Sequence, residues 1–294
     1  MKWLEGNICE LVPGDALYPK RLTLIPDPPK QLYVLGGLPE ENRPTAAIIG
    51  ARECSEYGKF VAKKLGETLG KYGIQVISGM ARGIDGISQE AALHAGGTSF
   101  AVLGSGVDVC YPLSNRGLYE ELILKGGILS EYPPGTPAIG RLFPARNRIV
   151  SGLADVLIVV EAREKSGTLI TVDMALEQGK EVYIVPGRIT DRLSDGCNRL
   201  IKMGAGVLLN PDSFVEEFWG IAGQKKAAEP QMSLQGEEKK VYDKLEPVPL
   251  GIAEINARLD RPMEERKLAT MLMKLCLEGV VEQASPGCFY KKMI

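Results

Sequence analysis

Four glycine-bearing segments hold the residue types that grip anions. Gly50-Ala51-Arg52 ends the apolar run that starts at Ala46, with Ser55 placed to cap a helix after it. Ser78-Gly79-Met80-Ala81-Arg82-Gly83-Ile84-Asp85 ends a second run, Gly104-Ser105-Gly106-Val107-Asp108 a third, and Arg163-Glu164-Lys165-Ser166-Gly167-Thr168 a later one. Each offers backbone N–H groups where a helix begins, and most add a guanidinium or ammonium. Free amides at the positive end of a helix dipole bind anions, and glycine lets the ligand come close. One such loop suits a mononucleotide. Several on one edge suit the row of phosphates of a nucleic-acid backbone, lying across the helix starts after Gly50, Gly79 and Gly167.

A fifth segment, Arg141-Leu142-Phe143-Pro144-Ala145-Arg146-Asn147-Arg148, sets one ring among three arginines, with Pro144 suited to a helix start. Single-strand binders combine cations along the phosphates with a ring on which a base stacks, at about 1–3 kcal/mol per base. The candidate DNA-binding residues are therefore Gly50, Arg52, Gly79, Arg82, Gly83, Arg141, Phe143, Arg146, Asn147, Lys165, Ser166, Gly167 and Thr168. No residue is assigned a catalytic role, and no metal or cofactor is expected.

Plainer readings compete. Arg52, Arg146 and Arg148 are also suited to capping helices or pairing with Asp85, Asp108 or Glu131, Asn147 to a structural role, and Phe143 to simple packing. Asp85, Asp108 and Glu161 at strand ends form a carboxylate site or merely orient loops. The dinucleotide fingerprint G-x-G-x-x-G is absent after the first parallel strand, where Gly50-Ala51-Arg52-Glu53-Cys54-Ser55 stands, and no G-x-x-x-x-G-K-[ST] exists. Arg52 stands where a dinucleotide pyrophosphate would lie. His94 is the one histidine, and the six cysteines are scattered without a C-x-x-C pair. Zinc hydrolysis and Cys/His chemistry are poorly served by that set. The cysteines read as reduced thiols of a cytoplasmic protein.

The elements that must hold these loops alternate. Strand-like runs start at Ala46, Ile74, Thr98, Gly127, Ala154, Glu181 and Gly206, with amphipathic stretches between them and Gly73, Gly96 and Gly126 at helix ends. This predicts an α/β fold: a Rossmann-like, doubly wound, mostly parallel sheet over residues 45–219. Residues 1–44, with prolines at 13, 19, 26, 28, 29, 39 and 44, read as an extended lead-in packed on that domain. Residues 220–236 read as a linker. Residues 237–294 read as three helices and a hairpin, the outline of a small C-terminal winged-helix domain. Its helical stretch MEERKLATMLMKL mixes acids with bases, which suits a protein contact at least as well as DNA.

Composition bounds the rest. The 294 residues carry 45% hydrophobic and 24% charged side chains, as a globular chain does, with no apolar run long enough for a membrane helix. The net charge is −2, so a nucleic-acid partner needs a local cationic patch.

GAR (50–52), SGMARGID (78–85), GSGVDVCYP (104–112), SEYPPGTPAIGRLFPARNRIVSGLADVLIVVEA (130–162) and KSGTLIT (165–171) closely resemble the signature segments of the DprA/Smf family, and DALYPKRLTLIPDPPKQLYVLG resembles the segment before that family's Rossmann-like domain. The resemblance spans roughly 15–219. It implies a non-catalytic single-stranded-DNA-binding protein that protects incoming strands and loads RecA recombinase during natural transformation and recombination, as a homodimer through the Rossmann-like domain. It also implies that Arg52 and Phe143 lie in the DNA pocket. The rival is a nucleoside-monophosphate phosphoribohydrolase-like enzyme, whose PGGxGTxxE loop KSGTLIT resembles; aligned so, Thr171 stands where the catalytic glutamate belongs. A nucleotide sensor on the same fold is the third reading.

Overall fold

The computed structural model describes residues 2–4, 7–221, 236–246, 248–277 and 280–291. They belong to two compact units, 1–224 and 225–294. In the first, β1 (Lys2–Leu4), β2 (Ile8–Leu11), α1 (Lys20–Thr23) and β3 (Leu32–Gly36) lead into β4 (Thr45–Ile49), α2 (Glu56–Lys71), β5 (Gln75–Ser78), α3 (Ile84–His94), β6 (Ser99–Val102), α4 (Arg116–Lys125) and β7 (Gly127–Ser130). Then come α5 (Leu142–Leu153), β8 (Val156–Val159), α6 (Gly167–Glu177), β9 (Glu181–Ile184), α7 (Asp195–Lys202), β10 (Gly206–Val207) and α8 (Pro211–Trp219).

All seven predicted runs form strands, in the order β7-β6-β5-β4-β8-β9-β10, and all seven are parallel. Successive side chains on a strand point to opposite faces, and both faces here are covered. Ala46 and Ile48 of β4, with Val156 and Ile158 of β8, pack against Leu65 and Leu69 of α2. Ala47 and Ile49, with Leu157 and Val159, pack against Ile149 and Leu153 of α5 and Val172 of α6. Strands buried on both faces read as continuous apolar runs, which is why they were legible.

The lead-in differs from its expectation. It extends the sheet: β3 pairs antiparallel with β7, β2 with β3, and β1 with β2. The prolines fall in the turns and leave the short runs ICEL and LYVLG free to pair. Leu11, Leu22 and Leu32 are fully buried. The Arg21 guanidinium pairs with Asp155 at 2.8 Å and donates to the Leu153 carbonyl at 3.1 Å, tying this segment to the start of β8. Ile25 packs under α5 at Gly152, where a Cβ would meet its Cγ2 at 2.9 Å. Ile25→Val is therefore expected to lower unfolding free energy by about 0.5–1.5 kcal/mol, read as a lower denaturant midpoint at unchanged slope. A neutral change would mean the lead-in is not part of the cooperative core.

Of the predicted helix-ending glycines, Gly73 and Gly96 are left-handed (φ 71° and 82°). Gly126 is instead extended, φ −166°, and a Cβ on it would strike the Ser99 carbonyl oxygen of the neighbouring strand. Close approach, not a helix cap, requires that glycine.

The second unit has α9 (Gly236–Lys244), β11 (Leu250–Gly251), α10 (Ile252–Arg258), α11 (Glu265–Leu277), β12 (Val281–Ser285) and β13 (Cys288–Lys291) around Val241, Leu268, Leu272 and Phe289. Its antiparallel sheet runs β11-β13-β12, so a short strand joins the expected three helices and hairpin. Residues 222–235, most of the expected linker, lie outside the described residues.

Candidate nucleic-acid interface

From β4 the chain first winds one way, to β5 and β6, and later returns to place β8 on the other side of β4. Ligands in open α/β sheets bind at such a switch point, beyond the carboxyl ends of the strands. An open cleft of about 670 Å³ lies there. Gly50 and Arg52 after β4, Gly79 after β5, Phe143, Arg146 and Asn147 of α5, and Lys165, Ser166, Gly167 and Thr168 after β8 all line it. The structure thus gathers ten of the thirteen candidate residues, drawn from segments more than a hundred positions apart. Arg82, Gly83 and Arg141 stand outside the lining: Arg82 and Arg141 are exposed, and Gly83 serves the loop beneath. A Cβ on Gly83, at φ 76°, would strike the Ala51 carbonyl oxygen, and one on Gly50 would meet Ile84 at 2.7 Å. These two glycines, with the Ile84 N–H donating to the Ala51 carbonyl at 3.2 Å, seat the loop that carries Arg52.

One wall is aromatic. Tyr111 and Phe143 stack with centroids 5.6 Å apart at 28°, and the Arg52 guanidinium lies 5.6 Å from the Phe143 centroid. Gly104 leaves room for Phe143, since a Cβ there would meet its ring at 2.8 Å. Tyr111, 45% exposed, and Arg163 join the cleft without having been singled out. Arg163 opens the last of the glycine loops, and Tyr111 lies three residues past Asp108, the end of the third.

Arg146 is corrected most. It is 5% exposed and turned inward, donating to the Gly79 carbonyl at 3.1 Å and to the Val102 carbonyl. It lines the floor beside Asp85, which accepts the Gly79 N–H at 3.1 Å. Burial pushes the Asp85 carboxyl up against the lowering pull of the Arg146 charge, and burial draws the Arg146 guanidinium down to about 10, still charged at neutral pH. Arg148 is also structural, forked onto Glu131 at 2.6 and 2.7 Å and bonded to the Asp27 carbonyl at 2.8 Å.

Of the three helix starts expected to face phosphates, two are occupied by the chain. Glu161 accepts the Ser55 N–H at the start of α2, at 2.9 Å. At α3 the Ile84 and Gly86 amides donate to the carbonyls of Ala51 and Ala81. At the start of α6 the Leu169 N–H likewise donates to the Ser166 carbonyl, at 3.0 Å, but this turn faces the cleft. Ser166 caps it by accepting the Thr168 N–H at 3.2 Å, Lys165 precedes it, and Gly167 has clear space where a side chain would stand. Thr171, on the position of the phosphoribohydrolase glutamate, lines the cleft with a buried hydroxyl. In the second unit, Lys267 and Lys274 of α11 pair with Glu237 and Glu238 of α9 at 2.6 and 2.5 Å, which spends much of that helix's positive charge. Among the described residues no cluster of three His, Cys, Asp or Glu is placed to hold a metal, and no helix is long and apolar enough to cross a membrane.

Residues 10–219 match the family described as DNA recombination-mediator protein A. Protein Smf of Escherichia coli is 41% identical over 216 residues, covering 73% of this chain and 58% of that protein. The DNA processing protein DprA of Streptococcus pneumoniae is 41% identical over 204 residues, covering 69% and 72%. Its crystal structure superposes with a TM-score of 0.69 at 39% identity, covering 72% of this chain and 75% of the other. DNA processing protein A of Helicobacter pylori, described for its single-stranded DNA binding mode, superposes with a TM-score of 0.65 at 32% identity, covering 74% and 97%.

Proposed function

The chain belongs to the DNA recombination-mediator protein A family, and from that premise we propose that it binds single-stranded DNA in the switch-point cleft without breaking a bond. One observation carries the reading: the Tyr111–Phe143 stack with Arg52 over it shares a single open cleft with the start of α6, Lys165 and Arg163. Bases stack on the rings, while Arg52, Arg163, Lys165 and the Gly167 N–H hold the backbone phosphates. A paired duplex hides its base faces, so it is a poor ligand for this wall.

The family resemblance extends the proposal to delivery of RecA recombinase onto the bound strand, in the cytoplasm, by a homodimer. Edge strand β10 offers a place for that dimer, since Met203 and Leu209 beside it are 72% and 82% exposed.

The test is fluorescence anisotropy of a labelled oligo-dT strand and of its duplex across salt. Three cationic phosphate contacts give a slope of about −2 in log K against log salt, so affinity falls about 20-fold from about 50 to 200 mM salt. An affinity flat across that range, or equal for strand and duplex, would sink the reading.

A further inference from the structure

In this sheet order the first strand–helix turn ordinarily lays a nucleotide's pyrophosphate against the start of its helix. That turn here joins β4 to α2, and the chain has filled it with an anion of its own. Glu161, from the loop after β8, is 3% exposed. It accepts both the N–H of Ser55, at 2.9 Å, and the Ser55 hydroxyl. Ser55 accepts in turn from the Gly58 N–H at 3.1 Å, within the first turn of α2. Gly58 has no side chain, and a Cβ on it would collide with the Glu161 carboxylate. The carboxylate thus lies where a helix start favours negative charge. Glu161 holds the place at φ 135°, a backbone conformation that side-chain-bearing residues rarely adopt and that persists only where the surroundings over-determine it. Its neighbours register the charge: burial first, then Glu161, pushes the Cys54 thiol and the Tyr57 hydroxyl up.

We propose that Glu161 is a specificity-determining residue that closes the nucleotide-phosphate position at the β4–α2 turn, so that the chain refuses nucleoside diphosphates and dinucleotides there. Arg52, the expected obstacle to a pyrophosphate, instead turns over the Phe143 ring. The inference goes beyond single-strand binding, because no residue of the first turn of α2 is among the described residues lining the cleft.

The test titrates inorganic pyrophosphate and ADP into the isotope-labelled full chain and follows the backbone amides of Glu56, Tyr57 and Gly58 by NMR. In the wild type these amides stay still, even where phosphate adds elsewhere. In Glu161→Gly the obstructing charge is gone and glycine adopts φ 135° freely. The three amides then shift together, and pyrophosphate binds at least about tenfold tighter than to wild type by calorimetry. Movement of these amides in the wild type overturns the proposal, as does a folded Glu161→Gly chain in which they stay still. If Glu161→Gly does not melt cooperatively, Glu161→Gln decides, since it keeps an acceptor for the Ser55 N–H but drops the charge. Amide shifts with at least about threefold tighter pyrophosphate binding support the proposal, and their absence overturns it. Oligo-dT anisotropy on the wild type judges the cleft separately, so failure of either reading is visible without the other.

Discussion

Arg52→Glu is expected to bind a labelled oligo-dT strand on the order of 100-fold more weakly than wild type, with a melting temperature lower by no more than about 4 °C. A hydrogen bond to a charged group contributes about 1.5–3 kcal/mol. Reversing the charge adds about 1 kcal/mol of repulsion from a phosphate some 4 Å away in water. The sum, about 2.5–4 kcal/mol, is roughly two to three decades of affinity at about 1.4 kcal/mol per decade. Stability is largely spared because Arg52 is exposed, and its stacking on Phe143 contributes about 0.5–1 kcal/mol at such a site. Arg52→Lys falls between the two, since an ammonium keeps the charge but loses the planar fork and much of the stacking. Phe143→Ala loses a base stack of about 1–3 kcal/mol and leaves Tyr111 and Arg52 without their partner. Anisotropy and thermal melts on the three variants check this series. Wild-type affinity in a folded Arg52→Glu chain would move the strand out of the cleft.

What the sequence disclosed, and what it hid, follows from the range of each interaction. Doubly buried parallel strands print unbroken apolar runs, so β4 to β10 and the loops at their ends could be placed without coordinates. The lead-in strands were lost because proline-dense turns surround the four-residue run ICEL and the five-residue run LYVLG. Composition outvoted two short signals. The inward direction of Arg146 was legible beyond the pairing with Asp85 that its residue type already allowed. Counting along α5, Arg146 shares one helical face with Ile149, Val150 and Leu153, all buried, so its position on the apolar stripe already argued for an inward guanidinium. Tyr111 was not legible as part of the wall, because its partner Phe143 comes from another element and only the fold stacks them. Glu161 was marked as a loop-orienting or site-forming acid, but nothing local says that it caps α2, whose Ser55 lies 106 residues earlier. Residue type was readable throughout, while partnership across the switch point was not.

Arg146→Ala is expected to cost about 3–5 kcal/mol of stability, the range for breaking a buried charge pair from one side. At about 2–4 °C per kcal/mol for a unit of this size, the melting temperature falls by roughly 6–20 °C. Three groups lose their partner at once: the Gly79 and Val102 carbonyls, and the Asp85 carboxyl, which keeps the Gly79 N–H and only the weaker pull of Arg52. The loss depends on pH, and the sign follows from Asp85. Its folded-state pKa already stands above the 3.8 of a free side chain because of burial, and removing Arg146 raises it further. Between the unfolded and folded values the native state binds more protons than the unfolded one, so stability falls as pH rises through that window. The deficit of Arg146→Ala against wild type is therefore largest near neutral pH and shrinks as pH falls toward the unfolded value of 3.8, because Asp85 is then protonated in the folded state of both chains. Asp85→Asn in the same chain recovers part of the loss at neutral pH and flattens the dependence, because the orphaned charge is gone. Melts of the single and double variants across pH separate this from a ligand contact. If Arg146→Ala melts with wild type and loses only DNA binding, Arg146 touches the strand, and the buried pair is not what holds the floor of the cleft.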